Sequence, residues 1–470
     1  MIGLSNDEVY QDLLERLKIR IVFMTEVNED NDFRIEAEYY TAKRTAFHSI
    51  KGSVVEAFSQ YGTSKELNED GNGYPVLRLN EFDSFFIQAP AKYCNLIDAN
   101  TYESLKLKKN DVLICRTNGN PHYVGKAALV PKDYEYAFAS YLYRIRPDEK
   151  LINPATLVAY LNSAYGRAEI ERLSMVGNQA NFSPAKFRQI EIPAFETAFQ
   201  KMIMSAVESA FAMLNDARAQ YEEAGKQLSL GLGFDKWNLS TYSASIRSFK
   251  EAARAGRIDA EYYQPKYDEL ISKINSLGSG TIETECNLYD DNFNPEKDTE
   301  YKYIELANIG TSGEINGCTV DLGAELPTRA RRIAQSGNII ISSLEGSLQS
   351  CALVTDEYDG ALCSTGFYIL DSDKINSETL LVLFKSAPIQ ALLKRQCTGT
   401  ILAAFSKDGL MSIPIPNISD ELQAKIKSSV TESFKLRQSS KNLLEAAKQS
   451  VEIAIEKDES EAMEFLKRFL

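Results

Sequence analysis

The chain has few of the residues and motifs that usually carry catalysis. Its 470 residues contain only two histidines, His48 and His122, so a histidine-based catalytic triad or a histidine-rich metal site has little material. The phosphate-binding motif GxxxxGK(S/T) does not occur, and an Asn-Pro-Pro-Tyr element of the kind found in adenine methyltransferases is also missing. We therefore expect a non-catalytic protein that binds no cofactor.

Cysteine is scarce and scattered, which argues against a metal site and against a disulfide framework. No two cysteines are spaced as CxxC, and no cysteine and histidine residues cluster with the spacing of metal ligands. We expect reduced thiols in or near the core and no bound metal. The cysteines are Cys94, Cys115, Cys286, Cys318, Cys351, Cys363 and Cys397.

Long hydrophobic runs are missing as well. No window approaches the roughly 18 consecutive apolar residues that a membrane-spanning helix needs. The N-terminal segment turns acidic by Asp7 and Glu8, and it lacks the basic start and apolar stretch of a secretory signal. We therefore expect a cytoplasmic protein with no membrane partner.

The charge balance is acidic, with 52 basic against 66 acidic residues and a formal net charge of −14. Phosphate contacts supply much of the affinity in nucleic-acid binding and require lysine and arginine nearby. A DNA-binding surface on this chain would therefore have to be a local basic patch. A length of 470 residues also exceeds one ordinary core, so we expect two or three domains.

An internal repeat organises the sequence. Residues 34–40, Arg-Ile-Glu-Ala-Glu-Tyr-Tyr, recur as residues 257–263 with one Glu/Asp exchange, at an offset of 257 − 34 = 223 residues. Between the matching ends, residues 111–114 correspond to residues 338–341 at an offset of 227, so the intervening loops differ in length. Loops tolerate such changes where buried strands do not, and specificity is expected there. Further pairs at the offset of 223 are Ile152 with Ile375, Ser163 with Ser386, Arg172 with Arg395, Phe182 with Phe405 and Ile190 with Ile413.

Each copy of the repeat has the pattern of an α+β domain that is mostly β. Short β-branched or aromatic runs at residues 74–79, 111–116 and 137–145 predict strands in the first copy, and similar runs follow in the second. Apolar residues at helical spacing in residues 154–172 predict a packed helix before the end of the copy.

A long amphipathic helix is predicted after each copy, at residues 198 to about 230 and at residues 422–455. About 33 helical residues span roughly 50 Å. Helices of this length with one apolar stripe usually pair, so we expect an antiparallel, coiled-coil-like rod. The predicted fold class is α+β, with two tandem, mostly-β domains separated by these helices. The predicted segments are a helical cap at 1–33, domains at 34–195 and 257–416, and helical spacers at 196–256 and 417–470.

The same order of motifs closes both copies. Gly-Asn-Gln at residues 177–179 and Gly-Thr at residues 399–400 are each followed by Phe-Ser, then by Ile-x-Ile-Pro, then by a long helix. The last helix ends in the alanine-rich stretch 445–455. This order, over nearly the whole chain, resembles the specificity subunit of type I restriction-modification systems.

The resemblance implies a DNA-sequence reader. Each domain would be a target-recognition domain for one half of a bipartite, asymmetric site in double-stranded DNA. The helices would act as a ruler and as the docking surface for two methyltransferase subunits, and restriction subunits would join through that assembly. Half-sites on one face of B-DNA lie about 34 Å apart, which a rod of about 50 Å can bridge. The alternative is a two-domain protein-binding scaffold, or an accessory of another DNA-targeting defence system.

Two polar segments of the first copy hold the side chains expected to contact DNA. Arginine and lysine suit guanine or phosphate, and asparagine and glutamine suit adenine. A hairpin turn without DNA contact is the alternative for the loop, and a purely structural turn is the alternative for the second segment. The candidates are Arg116, Asn118, Asn120, His122 and Lys126 in the loop, and Asn178, Gln179, Asn181 and Lys186 in the turn.

The second copy offers a different set. Its candidates are the basic cluster Arg329, Arg331 and Arg332, the loop residues Ser343 and Gln349, and Thr398, Thr400 and Lys407 around the Gly-Thr turn. A solvated face is the alternative for the basic cluster, and a purely structural turn is the alternative for the Gly-Thr turn. Four tyrosines occur in the duplicated opening and are expected to serve scaffold packing or helix docking, since both copies share them: Tyr39, Tyr40, Tyr262 and Tyr263.

Overall fold

The computed structural model describes Met24 and residues 48–470, apart from residues 84, 175–179, 240, 241, 243, 279 and 400. The predicted cap other than Met24, the first repeat opening with Tyr39 and Tyr40, and the candidates Asn178, Gln179 and Thr400 lie outside the described residues. The chain divides into two compact units. Unit 1 comprises Met1–Met213 and Gln438–Leu470, and unit 2 comprises Leu214–Arg437.

Unit 1 combines short strands with helices. Its described strands are β1 (Ser49–Lys51), β2 (Glu56–Tyr61), β3 (Tyr74–Leu77), β4 (Phe82–Asp83), β5 (Phe86–Ile87), β6 (Lys92–Cys94), β7 (Val112–Cys115), β8 (Ala127–Leu129), β9 (Ala137–Phe138), β10 (Leu142–Pro147) and β11 (Glu191–Pro193). Its first helices are α1 (Gly52–Val55), α2 (Ala99–Leu105), α3 (Pro154–Asn162), α4 (Ala164–Leu173) and α5 (Pro184–Phe187).

Strand β7 lies at the centre of the main sheet of unit 1. The strand order is β2-β10-β7-β8-β5-β4, and β7 pairs antiparallel with β10 and with β8. All of its residues are fully buried, as expected of a short apolar run in a core strand. A second sheet has the order β6-β3-β9, with β3 and β9 parallel. Strands β1 and β11 pair separately and bring the two ends of the domain together.

Unit 2 contains the next helices and strands. After helix α6 (Thr197–Leu232), which crosses from unit 1 into unit 2, the helices are α7 (Phe249–Ala255), α8 (Pro265–Asn275), α9 (Ile282–Glu285), α10 (Ser377–Lys385), α11 (Ala387–Gln396) and α12 (Lys407–Met411). The strands are β12 (Gly280–Thr281), β13 (Asn287–Tyr289), β14 (Glu300–Ile304), β15 (Thr319–Leu322), β16 (Ala330–Ala334), β17 (Ile339–Ser342), β18 (Cys351–Leu353), β19 (Ala361–Ser364), β20 (Phe367–Asp371) and β21 (Pro414–Ile415).

The strand order of unit 2 follows that of unit 1. One sheet has the order β13-β20-β17-β18, with the fully buried β17 between two antiparallel neighbours. The other has the order β15-β14-β19-β16, with β14 and β19 parallel. Strands β12 and β21 pair at the ends, as β1 and β11 do in unit 1. The predicted mixed helix-and-sheet architecture is confirmed.

Helices α6 and α13 (Asp420–Glu456) are the long helices predicted from the sequence, and α14 (Glu459–Leu466) ends the chain. Within unit 1, Ser440 Oγ on α13 donates to the Ala210 carbonyl on α6 at 2.8 Å. Within unit 2, Ser433 Oγ donates to the Ala217 carbonyl at 2.6 Å. The small residues at these contacts let the helix backbones approach closely.

The remaining sequence expectations concern thiols and membranes. All seven cysteines are free, and only Cys318 is not buried. Across the part of the chain that the structure describes, no helix is long and apolar enough to span a membrane.

Candidate nucleic-acid interface

A loop and a turn of unit 1 meet at the end of β7. The Phe182 amide donates to the Arg116 carbonyl at 2.8 Å, and Thr117 pairs with Asn181 as an isolated β-bridge. The hydroxyl of Thr117 also donates to the Ala180 carbonyl at 3.2 Å. The structure therefore joins the two candidate segments of the first copy, residues 116–126 and 180–186, which we name loop cluster 1.

Asparagine side chains shape the loop of loop cluster 1. Asn118 Oδ1 accepts from the Asn120 amide at 2.8 Å, and Asn120 Oδ1 accepts from the His122 amide at 3.1 Å. Such side-chain to backbone bonds hold a turn without regular secondary structure. Asn120 and His122 are exposed at the tip, where a ligand could reach them.

The cations of loop cluster 1 differ in their surroundings. The guanidinium of Arg116 stacks over the Tyr61 ring at 5.2 Å, and its Nε has no hydrogen-bond acceptor among the described residues. Lys186 Nζ instead donates to the Asn181 carbonyl at 3.0 Å, and Lys126 Nζ lies 6.0 Å from the centre of the Tyr123 ring. Arg116 is thus a half-buried cation positioned over an aromatic ring, and its Nε is itself buried and out of reach of a ligand.

Unit 2 repeats the arrangement at the end of β17. The Phe405 amide donates to the Ser343 carbonyl at 3.1 Å, and the Glu345 amide donates to the Ala403 carbonyl at 2.8 Å. Ser343 takes the place of Arg116, at the offset of 343 − 116 = 227 that relates β17 to β7. We name residues 342–349 and 398–407, without residue 400, loop cluster 2.

Several candidates of loop cluster 2 have partners inside unit 2. Ser343 is buried, and its hydroxyl donates to the Gly366 carbonyl at 2.8 Å, so it braces the loop. Lys407 is exposed but pairs with Asp290 at 2.9 Å, and this hydrogen bond raises the pKa of Lys407. Gln349 and Thr398 are exposed.

The basic cluster of the second copy is not a single patch of unpaired cations. Arg331 donates to Asn294 Oδ1 at 2.6 Å, and Arg332 donates to the Phe367 carbonyl at 2.6 Å. Arg329 is exposed and lies at a cleft beside loop cluster 2.

The second repeat opening anchors the helix that leads into loop cluster 2. Arg257 donates to the carbonyls of Arg395, Gln396 and Cys397, at 3.0, 3.3 and 2.9 Å, where α11 ends. The Tyr262 ring lies 4.4 Å from the Arg257 guanidinium and 4.3 Å from that of Arg395. This placement is the scaffold packing expected for the tyrosines of the second copy. The role of Arg257 was missed, although its duplication as Arg34 is a signal that could have found it.

A buried ion pair in the main sheet of unit 1 was also missed. Asp111 and Arg144 are 0% and 1% exposed, and their side chains are 3.1 Å apart. Arg144 also donates to the Lys106 and Ser104 carbonyls, and burial lowers its pKa. The pair fixes the start of the strand whose other end carries loop cluster 1. No sequence signal could have found it, because it depends on the pairing of β7 with β10.

Comparison with known proteins gives a family match to one part of the chain. The family described as "Type I restriction modification DNA specificity domain" matches residues 51–220. The StySPI specificity subunit of a type I restriction enzyme from Salmonella potsdam is 31% identical over 169 residues, which cover 35% of each chain. The EcoKI specificity subunit from Escherichia coli strain K12 is 31% identical over 121 residues, or 26% of each chain. The chain thus aligns with about a third or less of the length of these curated relatives.

Among solved structures, the S subunit of a type I restriction-modification system from M. genitalium aligns with 89% of this chain and 95% of its own, at 14% identity and a TM-score of 0.34. The HsdS subunit from Thermoanaerobacter tengcongensis aligns with 90% of this chain and 96% of its own, at 12% identity and a TM-score of 0.26. The family match includes β7, α3, α4 and the described part of loop cluster 1. Residues 51–220 match the DNA specificity domain of type I restriction-modification systems, which confirms for that part of the chain the family resemblance drawn from the motif order.

Proposed function

We propose that this chain is the sequence-reading subunit of a type I restriction-modification complex. Its target-recognition domains, at residues 34–195 and 257–416, each read one half of a bipartite, asymmetric site in double-stranded DNA. The observation that carries this proposal is the recurrence of one loop and turn arrangement, with Phe182 bound to Arg116 and Phe405 bound to Ser343. Two readers on one chain suit two half-sites.

The chemistry of the two loop clusters favours unlike half-sites. Loop cluster 1 offers a guanidinium at Arg116 and exposed amide and imidazole groups at Asn120 and His122, which suit phosphate and base edges. Loop cluster 2 holds Ser343 where loop cluster 1 holds Arg116, and its exposed polar groups include Gln349 and Thr398. The same backbone arrangement with different side chains supports an asymmetric target.

The long helices would serve assembly. In this proposal the spacers 196–256 and 417–470 set the separation of the readers as a coiled-coil-like rod and dock two methyltransferase subunits, through which restriction subunits join. The chain itself catalyses nothing and directs adenine methylation and cleavage by its partners in the cytoplasm. The contacts between Ser440 and Ala210 and between Ser433 and Ala217 support paired helices.

The test is adenine methylation mapped across the genome of cells that carry this chain with its neighbouring methyltransferase. Matched cells lack only this chain. Loss of one bipartite, asymmetric methylated motif is the expected result, and it would reveal both half-sites. An unchanged pattern of methylation, with active methyltransferase present, would overturn the proposal and favour a protein-binding scaffold.

A further inference from the structure

An open cleft of about 500 Å³ lies on unit 2 beside loop cluster 2. Its lining includes the aromatic residues Tyr303 and Phe367, the charged residues Glu305 and Arg329, and Leu344 of loop cluster 2. The cleft lining therefore combines aromatic residues with one acidic and one basic side chain.

Backbone hydrogen bonds connect this cleft to loop cluster 2. The Thr365 amide donates to the Arg329 carbonyl at 2.9 Å, and the Ser343 amide donates to the neighbouring Gly366 carbonyl at 2.9 Å. Leu344, in the cleft wall, pairs with Ala404 of the turn. A DNA duplex that lies against loop cluster 2 would therefore also meet the cleft.

The charges of Glu305 and Arg329 both affect the pKa of Tyr303 in the cleft. Tyr303, which also lines the cleft, is 4% exposed. Its burial raises the pKa of Tyr303, the charge of Glu305 raises it further, and the charge of Arg329 lowers it. Both charged residues are exposed, and neither forms an ion pair among the described residues.

The position of Glu305 has a counterpart in unit 1. The Glu305 amide donates to Asn308 Oδ1 at 2.7 Å, and the Arg78 amide donates to Glu81 Oε2 at 2.7 Å. Each residue begins a short 3₁₀ helix directly after β14 or β3, the strand of its unit that has a parallel neighbour. The two residues differ by 305 − 78 = 227, the offset that relates β17 to β7. Equivalent positions thus carry opposite charges in the two units.

We propose that the cleft formed by Glu305 and Arg329 reads one G·C base pair in the half-site of unit 2. Arg329 donates to guanine O6 and N7, and Glu305 accepts from cytosine N4, which are the major-groove pairings of these side chains. Arg78 at the equivalent position of unit 1 is paired with Glu81 at 2.9 Å, so the same place in unit 1 presents no exposed carboxylate that could accept from cytosine. The inference rests on the proposed function.

The test uses the assembled methyltransferase complex with Glu305→Gln and, separately, Arg329→Ala, and maps the methylated motif. We expect the half-site of unit 1 to be unchanged and one G·C position in the other half-site to become relaxed. The matched controls Glu300→Gln and Arg254→Ala remove exposed charges of unit 2 outside the cleft and should leave the motif intact. An unchanged motif in both cleft variants, or a wild-type half-site of unit 2 without a G·C pair, would overturn the inference.

A second measurement is used if a cleft variant abolishes methylation, because no methylated motif can then be mapped. Affinity of the complex is measured for duplexes in which each base pair of the half-site of unit 2 is replaced in turn. Wild type should discriminate against one replaced G·C pair by roughly 5- to 150-fold, and the cleft variants should lose that discrimination alone. Failure of the proposed function would look different, because wild type would then specify no motif at all.

Discussion

The Asn153 backbone amide donates to the side-chain oxygen of Gln200 at 2.8 Å, which ties the start of α3 to the start of α6. The Asn376 amide donates to Gln423 Oε1 at 2.9 Å in the same way in unit 2. Asn376 corresponds to Asn153 and Gln423 to Gln200, because 376 − 153 and 423 − 200 both give the repeat offset of 223. The repeat therefore extends to a hydrogen-bonded clasp between each domain and its long helix.

Loss of this clasp should destabilise its unit. Gln423 is 7% exposed, and its Nε2 also donates to the Lys374 and Ile418 carbonyls, both at 3.1 Å. Removing the side chain leaves buried backbone groups unpaired, so Gln423→Ala should cost about 1–3 kcal/mol. Urea unfolding measures this, with exposed Gln438→Ala as the control. Equal unfolding midpoints for both variants would contradict the prediction.

Asp111→Ala should be among the most damaging single changes in unit 1. It leaves the buried Arg144 guanidinium without its carboxylate, which costs about 3–5 kcal/mol. The double variant Asp111→Ala with Arg144→Met should recover part of the loss, because no buried charge then remains. A double variant as unstable as the sum of its single changes would refute the pairing argument.

Arg257→Ala should loosen loop cluster 2 without affecting unit 1. The substitution removes the donors to three carbonyls at the end of α11, directly before Thr398. Hydrogen exchange at the amides of Thr398 and Ala404, which pair with each other, should become faster. Exposed Arg254→Ala is the matched control. Unchanged protection of both amides in Arg257→Ala would rule out the anchoring role.

Arg116→Ala should weaken DNA binding by the assembled complex by about 1–3 kcal/mol, because it removes a cation positioned over the Tyr61 ring beside the exposed loop. If Arg116 contacts a phosphate, the loss should be uniform across sequences, and the salt slope should fall by about 1. If it contacts a base, discrimination at one position of the half-site should fall instead. Arg188→Ala is the control, since Arg188 pairs with Glu56 at 2.7 Å. Identical affinity and slope for both variants would remove Arg116 from the interface.

The buried thiols predict a pH dependence. Burial raises the pKa of Cys351 and of Cys363 to about 12 from an ordinary value of 9.0. In the unfolded chain these thiols ionise near pH 9. Their contribution to the free energy of unfolding is therefore complete below that pH and is lost as pH rises towards 12.

Iodoacetamide at pH 8 should label Cys318 first in the folded protein. Equally fast labelling of Cys351 would contradict the burial.

The sequence by itself determined the helices and strands that depend on local patterns. Apolar spacing predicted helices at 198 to about 230 and at 422–455, and the structure has α6 and α13 there within about two residues at each end. The β-branched run at 111–116 predicted β7, because a short apolar stretch fits a buried strand wherever it pairs. The repeat offset also predicted which segments correspond.

Only the tertiary structure decided which polar side chains have partners. Arg329, Arg331 and Arg332 look alike in sequence, yet Arg331 is held by Asn294 and Arg332 by the Phe367 carbonyl, while Arg329 lies at the cleft. The physical reason is that a hydrogen-bond partner is set by strand register and loop closure between segments far apart in the chain. Local composition carries no information about either.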